Sequence, residues 1–109
     1  MKKIVLIDAI QLKGSSGKEM KVEYYFVKDY RFAEERLPLC GIKIIKQENK
    51  GREVVREVEI APAISYSEKF VKQMIRKMIK NLVTPIHMLE VIDELVSEES
   101  YSSECTDII

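Results

Sequence analysis

The sequence predicts an α+β domain: a four-stranded antiparallel meander followed by two C-terminal helices packed on one face of the sheet. Two observations carry this. The hydrophobic period is two over roughly the first 60 residues and changes to 3.6 after Ser65. Strands first and helices last is the order in which helices gather on one side of an antiparallel sheet.

Each element has its own signal. Ile4, Leu6, Ile10 and Leu12 fall on one face of a first strand, with Asp8 the exception. Lys13-Gly14-Ser15-Ser16-Gly17-Lys18 is a polar connection. In the second strand Val22, Tyr24, Phe26, Tyr30 and Phe32 alternate with Glu23, Asp29 and Arg31, and aromatic and β-branched residues suit a pleated surface. Glu34-Glu35-Arg36 and Pro38 break that pattern. Cys40 to Gln47 and Arg52 to Ile60 form two further strands, and Gly51 between them can close a short hairpin. Pro62 is expected to end the sheet.

Phe70, Val71, Met74, Ile75, Met78, Ile79 and Leu82 then form an apolar stripe wide enough to cover a sheet. Ser65 or Ser67 can cap this helix, and Asn81 ends it. Thr84 caps the second helix with Pro85 at its first position, where a missing N–H costs nothing. Met88, Leu89, Ile92, Leu95 and Val96 are its expected buried stripe. The short link between the helices fits either a hairpin or a sharp corner. Residues 1–96 read as one domain, and 97–109 as an acidic, serine-rich, disordered tail. A docking role for the apolar end Ile108-Ile109 ranks behind a chance apolar terminus.

Composition excludes several function classes. The 109 residues are 46% hydrophobic, enough for a modest core, and 18 Lys plus Arg balance 18 Asp plus Glu. The N-terminal apolar run is interrupted by Asp8 and lacks a cleavage pattern, and no stretch approaches the roughly 20 apolar residues of a membrane span. The expected setting is the cytoplasm, with Cys40 and Cys105 reduced. Gly14-Ser15-Ser16-Gly17-Lys18 lacks the spacing of a phosphate loop, and no G-x-S-x-G is present.

His87 is the only histidine. With Glu90 and Glu94 it occupies the polar face of the second helix, and these three fall short of a metal site without ligands from a facing element. Cys40 would need His87 as its base, and nothing in the sequence brings them together. The expectation is therefore no catalytic residue, no metal, no cofactor and no small-molecule substrate: a non-enzymatic module.

Charge is more informative. The first helix carries Lys69, Lys72, Arg76, Lys77 and Lys80 against Glu68, whereas Glu90, Asp93, Glu94, Glu98, Glu99, Glu104 and Asp107 follow Val83 with no Lys or Arg. A basic helix face suits nucleic-acid phosphates, yet the attached acid can neutralise it and would repel a polyanion. Internal compensation is the favoured expectation, and nucleic acid ranks behind a protein partner. The other lead is the sheet face away from the helices. If those helices cover Leu6, Tyr24, Phe26 and Ile44, then Val5, Ile7, Tyr25, Val27, Ile45 and Val55 form an open apolar face suited to a protein partner or self-association as a dimer.

The Cys40-Gly41-Ile42 strand start, the strand Glu53 to Ile60 leading to Ser65 and Ser67, and Asn81-Leu82-Val83-Thr84-Pro85-Ile86-His87 before Leu89, Val91, Ile92 and Asp93 resemble one family. It comprises small uncharacterised proteins, a domain of unknown function, from clostridia and related spore-forming Firmicutes. The resemblance covers roughly residues 1–96 and implies a bacterial cytoplasmic setting without an activity. Cys40 departs from it, since an aromatic residue is more usual before that glycine.

Overall fold

The computed structural model describes residues 2–13, 18–30 and 38–107, with side chains described through Glu98. Strands β1 (Lys2–Lys13), β2 (Glu19–Asp29), β3 (Leu39–Lys50) and β4 (Glu53–Ser65) form one antiparallel sheet in the order β1-β2-β3-β4. Helices α1 (Glu68–Lys80) and α2 (Pro85–Asp107) follow and both pack on the sheet. The predicted α+β meander is the fold observed. Phe32 and Glu34-Glu35-Arg36 lie outside the described residues. α2 continues beyond Val96, where the sequence places the domain boundary, and Ile108-Ile109 lie outside the described residues.

β3 and β4 are joined at Lys50↔Glu53, so Gly51 and Arg52 form a two-residue loop. Gly51 has φ +65° while Arg52 has no positive φ, the pattern of a type II′ turn. Pro62 does not end β4. The strand runs to Ser65 through a register shift, with Ile42 opposite Ala61 and Cys40 opposite Ser65. Gly41 makes this possible: a side-chain Cβ there would overlap the Ala61 carbonyl and stand 2.7 Å from Pro62 Cα. Backbone thus crosses directly over a residue that has no side chain.

The core lies between the helices and β2, β3 and β4. Val22, Tyr24, Phe26, Cys40, Ile42 and Ile44 from the sheet meet Val71, Met74, Ile75 and Met78 of α1 and Met88 and Ile92 of α2. Neither helix packs to any extent on β1. Ser67 is the N-cap of α1, its hydroxyl accepting from the Phe70 N–H at 3.2 Å, an interaction of about 1 kcal/mol.

The link between the helices is a corner, with each helix packed more on the sheet than on its neighbour. α1 ends in a Schellman motif: the Val83 N–H donates to the Met78 carbonyl at 2.9 Å and the Leu82 N–H to that of Ile79 at 3.2 Å. Leu82 takes the left-handed conformation, φ 50°, where glycine is usual. That conformation costs a leucine roughly 1–2 kcal/mol, offset by packing of its side chain against the core. The Tyr24 hydroxyl, buried beneath the corner, donates to the Val83 carbonyl at 2.8 Å. Asn81-Leu82-Val83-Thr84-Pro85 is therefore a structural motif: it turns the chain and anchors the turn to β2.

On α2, Met88 and Ile92 are buried and Val91 and Leu95 are half-buried, as a helix lying on a sheet requires. Leu89 and Val96 are exposed instead of joining the expected stripe, and Ile86 is exposed with them. The buried face is rotated toward Val91.

Candidate interaction surface

The pairing registers fix which side chains share a face, because directly opposed residues in an antiparallel pair point the same way. On the helix-bearing side stand Phe26, Tyr24 and Val22 of β2, opposite Ile42, Ile44 and Lys46 of β3 and Val5, Asp8 and Ile10 of β1. On the other side, Ile4 faces Val27 and Gly41, and Leu6 faces Tyr25, Lys43 and Ile60 across the four strands. The next row is Ala9, Glu23, Ile45 and Val58.

The expected face is thus corrected in several positions. β1 shifts register between Leu6 and Asp8, with Ile7 the extra residue. A bulge of this kind exchanges the faces of everything beyond it. Leu6 therefore belongs to the open face, Val5 to the helix-bearing face, and Asp8 takes its place opposite Tyr24. Val55 opposes Glu48, which also puts it on the helix-bearing side. Tyr25, Val27 and Ile45 are on the open face as predicted, but Val27 and Ile45 are buried and offer no anchor to a partner.

The exposed apolar side chains of the open face are Ile4 and Leu6 from β1 and Val54, Val58 and Ile60 from β4. None of these residues stands among those the sequence pattern assigns to an open apolar face. Val54, Val58 and Ile60 had a legible signal, since they alternate with Arg56 at period two from the Gly51 turn. Between the two apolar groups lies Tyr25, whose hydroxyl donates to Glu23 at 2.7 Å and whose ring has Lys43 Nζ 5.9 Å from its centre. Its hydrogen bond to Glu23 is the main cause of a raised phenol pKa.

The basic helix divides into two groups. Lys72 is held by Glu68 at 2.9 Å and stands 5.2 Å from the centre of the Phe26 ring. Glu68 also binds Lys28 at 3.2 Å, and hydrogen bonds from Lys72 and Lys28 keep its carboxyl below the usual range. Lys69, Arg76, Lys77 and Lys80 are exposed and form no ion pair among the described residues. The direct neutralisation expected between α1 and the carboxylates of α2 is not made there.

His87 and Cys40 have different neighbours. His87 is exposed, its Nδ1 3.9 Å from Glu90. Cys40 is a buried free thiol that donates to the Pro38 carbonyl at 3.8 Å. Burial, then Glu68, push the Cys40 thiol up, against the opposing pull of Lys28 and Lys72. These are groups from β2 and the start of α1, whereas His87 begins α2. Among the described residues no group of three or more His, Cys, Asp or Glu could hold a metal ion. No helix among them is long and apolar enough to cross a membrane.

A sheet covered on one side by α1 and α2, and by no helix among the described residues on the other, is a scaffold whose distinctive feature is exposed apolar surface near its two edges. The chain belongs to a family of unknown function, DUF6514, which matches residues 3–98. No curated protein and no solved structure matches it.

Proposed function

We propose that this is a non-enzymatic protein-interaction or regulatory module that binds protein, a second copy of itself included, through the open sheet face. The observation that carries the reading is the exposure of Ile4, Leu6, Val54, Val58 and Ile60 on the side of the sheet away from α1 and α2. A solvated sheet face is ordinarily polar, and a large exposed apolar patch marks a contact surface. The sequence resemblance adds a setting, the cytoplasm of spore-forming Firmicutes, and the module works there without cofactor, metal or small-molecule substrate. Leu6→Asp places a charge on the β1 side of this surface and outside the core. In sedimentation equilibrium the parent is expected to self-associate, and the variant to do so at least about tenfold more weakly, from the burial of one leucine per copy. A parent that stays monomeric at high concentration removes the support for this reading.

A second reading has its own observation. Lys69, Arg76, Lys77 and Lys80, exposed and without an ion pair among the described residues, offer α1 as a surface for nucleic-acid phosphates. Four such contacts predict binding to duplex DNA that weakens with a log–log salt slope of about −3 to −4. The combined change of these four residues to Gln is expected to abolish it. Absence of binding at low salt, measured by fluorescence anisotropy, excludes this alternative.

A further inference from the structure

We propose that β1 is the seam of a symmetric dimer, in which two copies pair their β1 edges antiparallel about a two-fold axis at Val5. Resting on the reading of the chain as a self-associating module, this names both the partner and the geometry.

β1 is an edge strand, paired only with β2 among the described residues. Its central residues Ile4, Val5, Leu6 and Ile7 are 45%, 52%, 49% and 39% exposed. An unpaired edge exposing four consecutive apolar residues is a template for another strand. On the opposite edge, Pro62 and the register shift interrupt only the end of β4, and in the remainder Glu53, Arg56, Glu57 and Glu59 break up the apolar residues so that no run of four is formed.

Charge decides what that other strand is. Antiparallel pairing of identical edges about a two-fold axis perpendicular to the sheet keeps each face on its own side. With Val5 at the axis, Val5 opposes Val5 of the second copy on the helix-bearing side, and Ile4 opposes Leu6 on the open side. The bulge at Ile7 then has a consequence. It brings Asp8 onto the helix-bearing side, opposite Tyr24, in the position that a regular strand would give to residue 7. Asp8 of each copy therefore falls opposite Lys3 of the other. A parallel arrangement would instead set Lys3 beside Lys3 and Asp8 beside Asp8. The edge is thus self-complementary in charge as well as in apolar content. An isologous contact of this kind consumes both exposed edges and closes. It joins two four-stranded sheets into one and makes their open apolar faces continuous.

The test is sedimentation equilibrium of the full chain with Lys3→Glu, Asp8→Lys and the combined Lys3→Glu/Asp8→Lys variant. Each single change puts like charges opposite one another twice per dimer and is expected to raise the dissociation constant about tenfold. The combined change restores opposite charges and the parent's dimer. Both side chains are exposed, and because Asp8 also accepts from the Ala9 N–H at 2.8 Å, the melting temperature of each variant is measured beside its dissociation constant. Val5→Cys gives a second readout. Directly opposed residues lie about 4.5–5.5 Å apart between Cα atoms, within disulfide range, so mild oxidation is expected to cross-link this variant. Val55→Cys, exposed on the same side but on β4, and the parent with Cys40 and Cys105 should not be cross-linked. Single reversals without effect, together with no cross-link at Val5, overturn the seam. If Leu6→Asp still dissociates the protein in that case, contact through the open face stands and only the edge pairing fails. A strictly monomeric parent overturns both.

Discussion

Gly41→Ala is expected to destabilise the protein by about 3 kcal/mol, lowering the melting temperature by roughly 15 °C. The added Cβ would meet backbone on β4, where neither the Ala61 carbonyl nor Pro62 can swing aside as a flexible side chain would. Relief requires moving the bend that lets β4 pass Pro62 and rejoin Cys40 at Ser65. That bend also leads into Ser67 and α1, so its displacement reaches the helix layer. Gly51→Ala supplies the contrast. Nothing lies within 4 Å of a Cβ at Gly51, so only its φ of +65° opposes the substitution, at roughly 1–2 kcal/mol. Thermal denaturation of the two variants separates the effects. Gly41→Ala should be clearly the more damaging, and equal losses would show that the β4 bend yields easily.

Period-two and period-3.6 patterns made the fold legible because each element buries one face. The Gly51 turn, the Ser67 cap and the Thr84-Pro85 helix start follow from local chemistry that residue identity states directly. The arrangement of the faces was less legible. Asp8 broke the alternation of Ile4, Leu6, Ile10 and Leu12, and the irregularity was the visible sign of a bulge. Which residue was extra depends on pairing with β2, which no single strand encodes. Placing Ile7 there exchanged Val5 and Leu6 between faces, and the expected interface with them. Val55 was misplaced for a related reason. Val54 and Val55 are both apolar, and only the register from the Lys50↔Glu53 pair distinguishes them. The burial of Val27 and Ile45 is a tertiary effect that their strand positions could not reveal.

The charge pattern illustrates a different limit. Sequence places a basic helix beside an acidic one, and proximity along the chain suggested that they neutralise each other. The corner at Leu82 directs both helices onto the sheet, and among the described residues Glu68 is the carboxylate that engages an α1 cation. Pairing depends on the direction in which a four-residue link sends the chain, and the left-handed leucine that sets this direction is not one the sequence marks, since glycine is the expected residue there.

Tyr24→Phe tests the anchor of that corner and is expected to cost about 2 kcal/mol. The hydroxyl is the partner of a buried Val83 carbonyl, and its removal leaves the acceptor without that bond while the ring still fills its place. Alkaline pH supplies an independent check. Burial first, and Asp8 second, push the Tyr24 phenol up from 10.0 to about 12. In the unfolded chain tyrosine loses its proton near pH 10, whereas the folded protein retains it until about pH 12. Between these values the folded state binds more protons than the unfolded state, so stability falls as pH rises. The contribution is fully present below pH 10 and its loss is complete above about pH 12, at up to about 1.4 kcal/mol per pH unit between them. Denaturant unfolding at pH 9, 10 and 11 should therefore show a steeper decline in the parent than in Tyr24→Phe. Parallel declines would mean that the phenol ionises as readily folded as unfolded, and the buried hydrogen bond to Val83 would lose its place as the anchor of the two-helix corner.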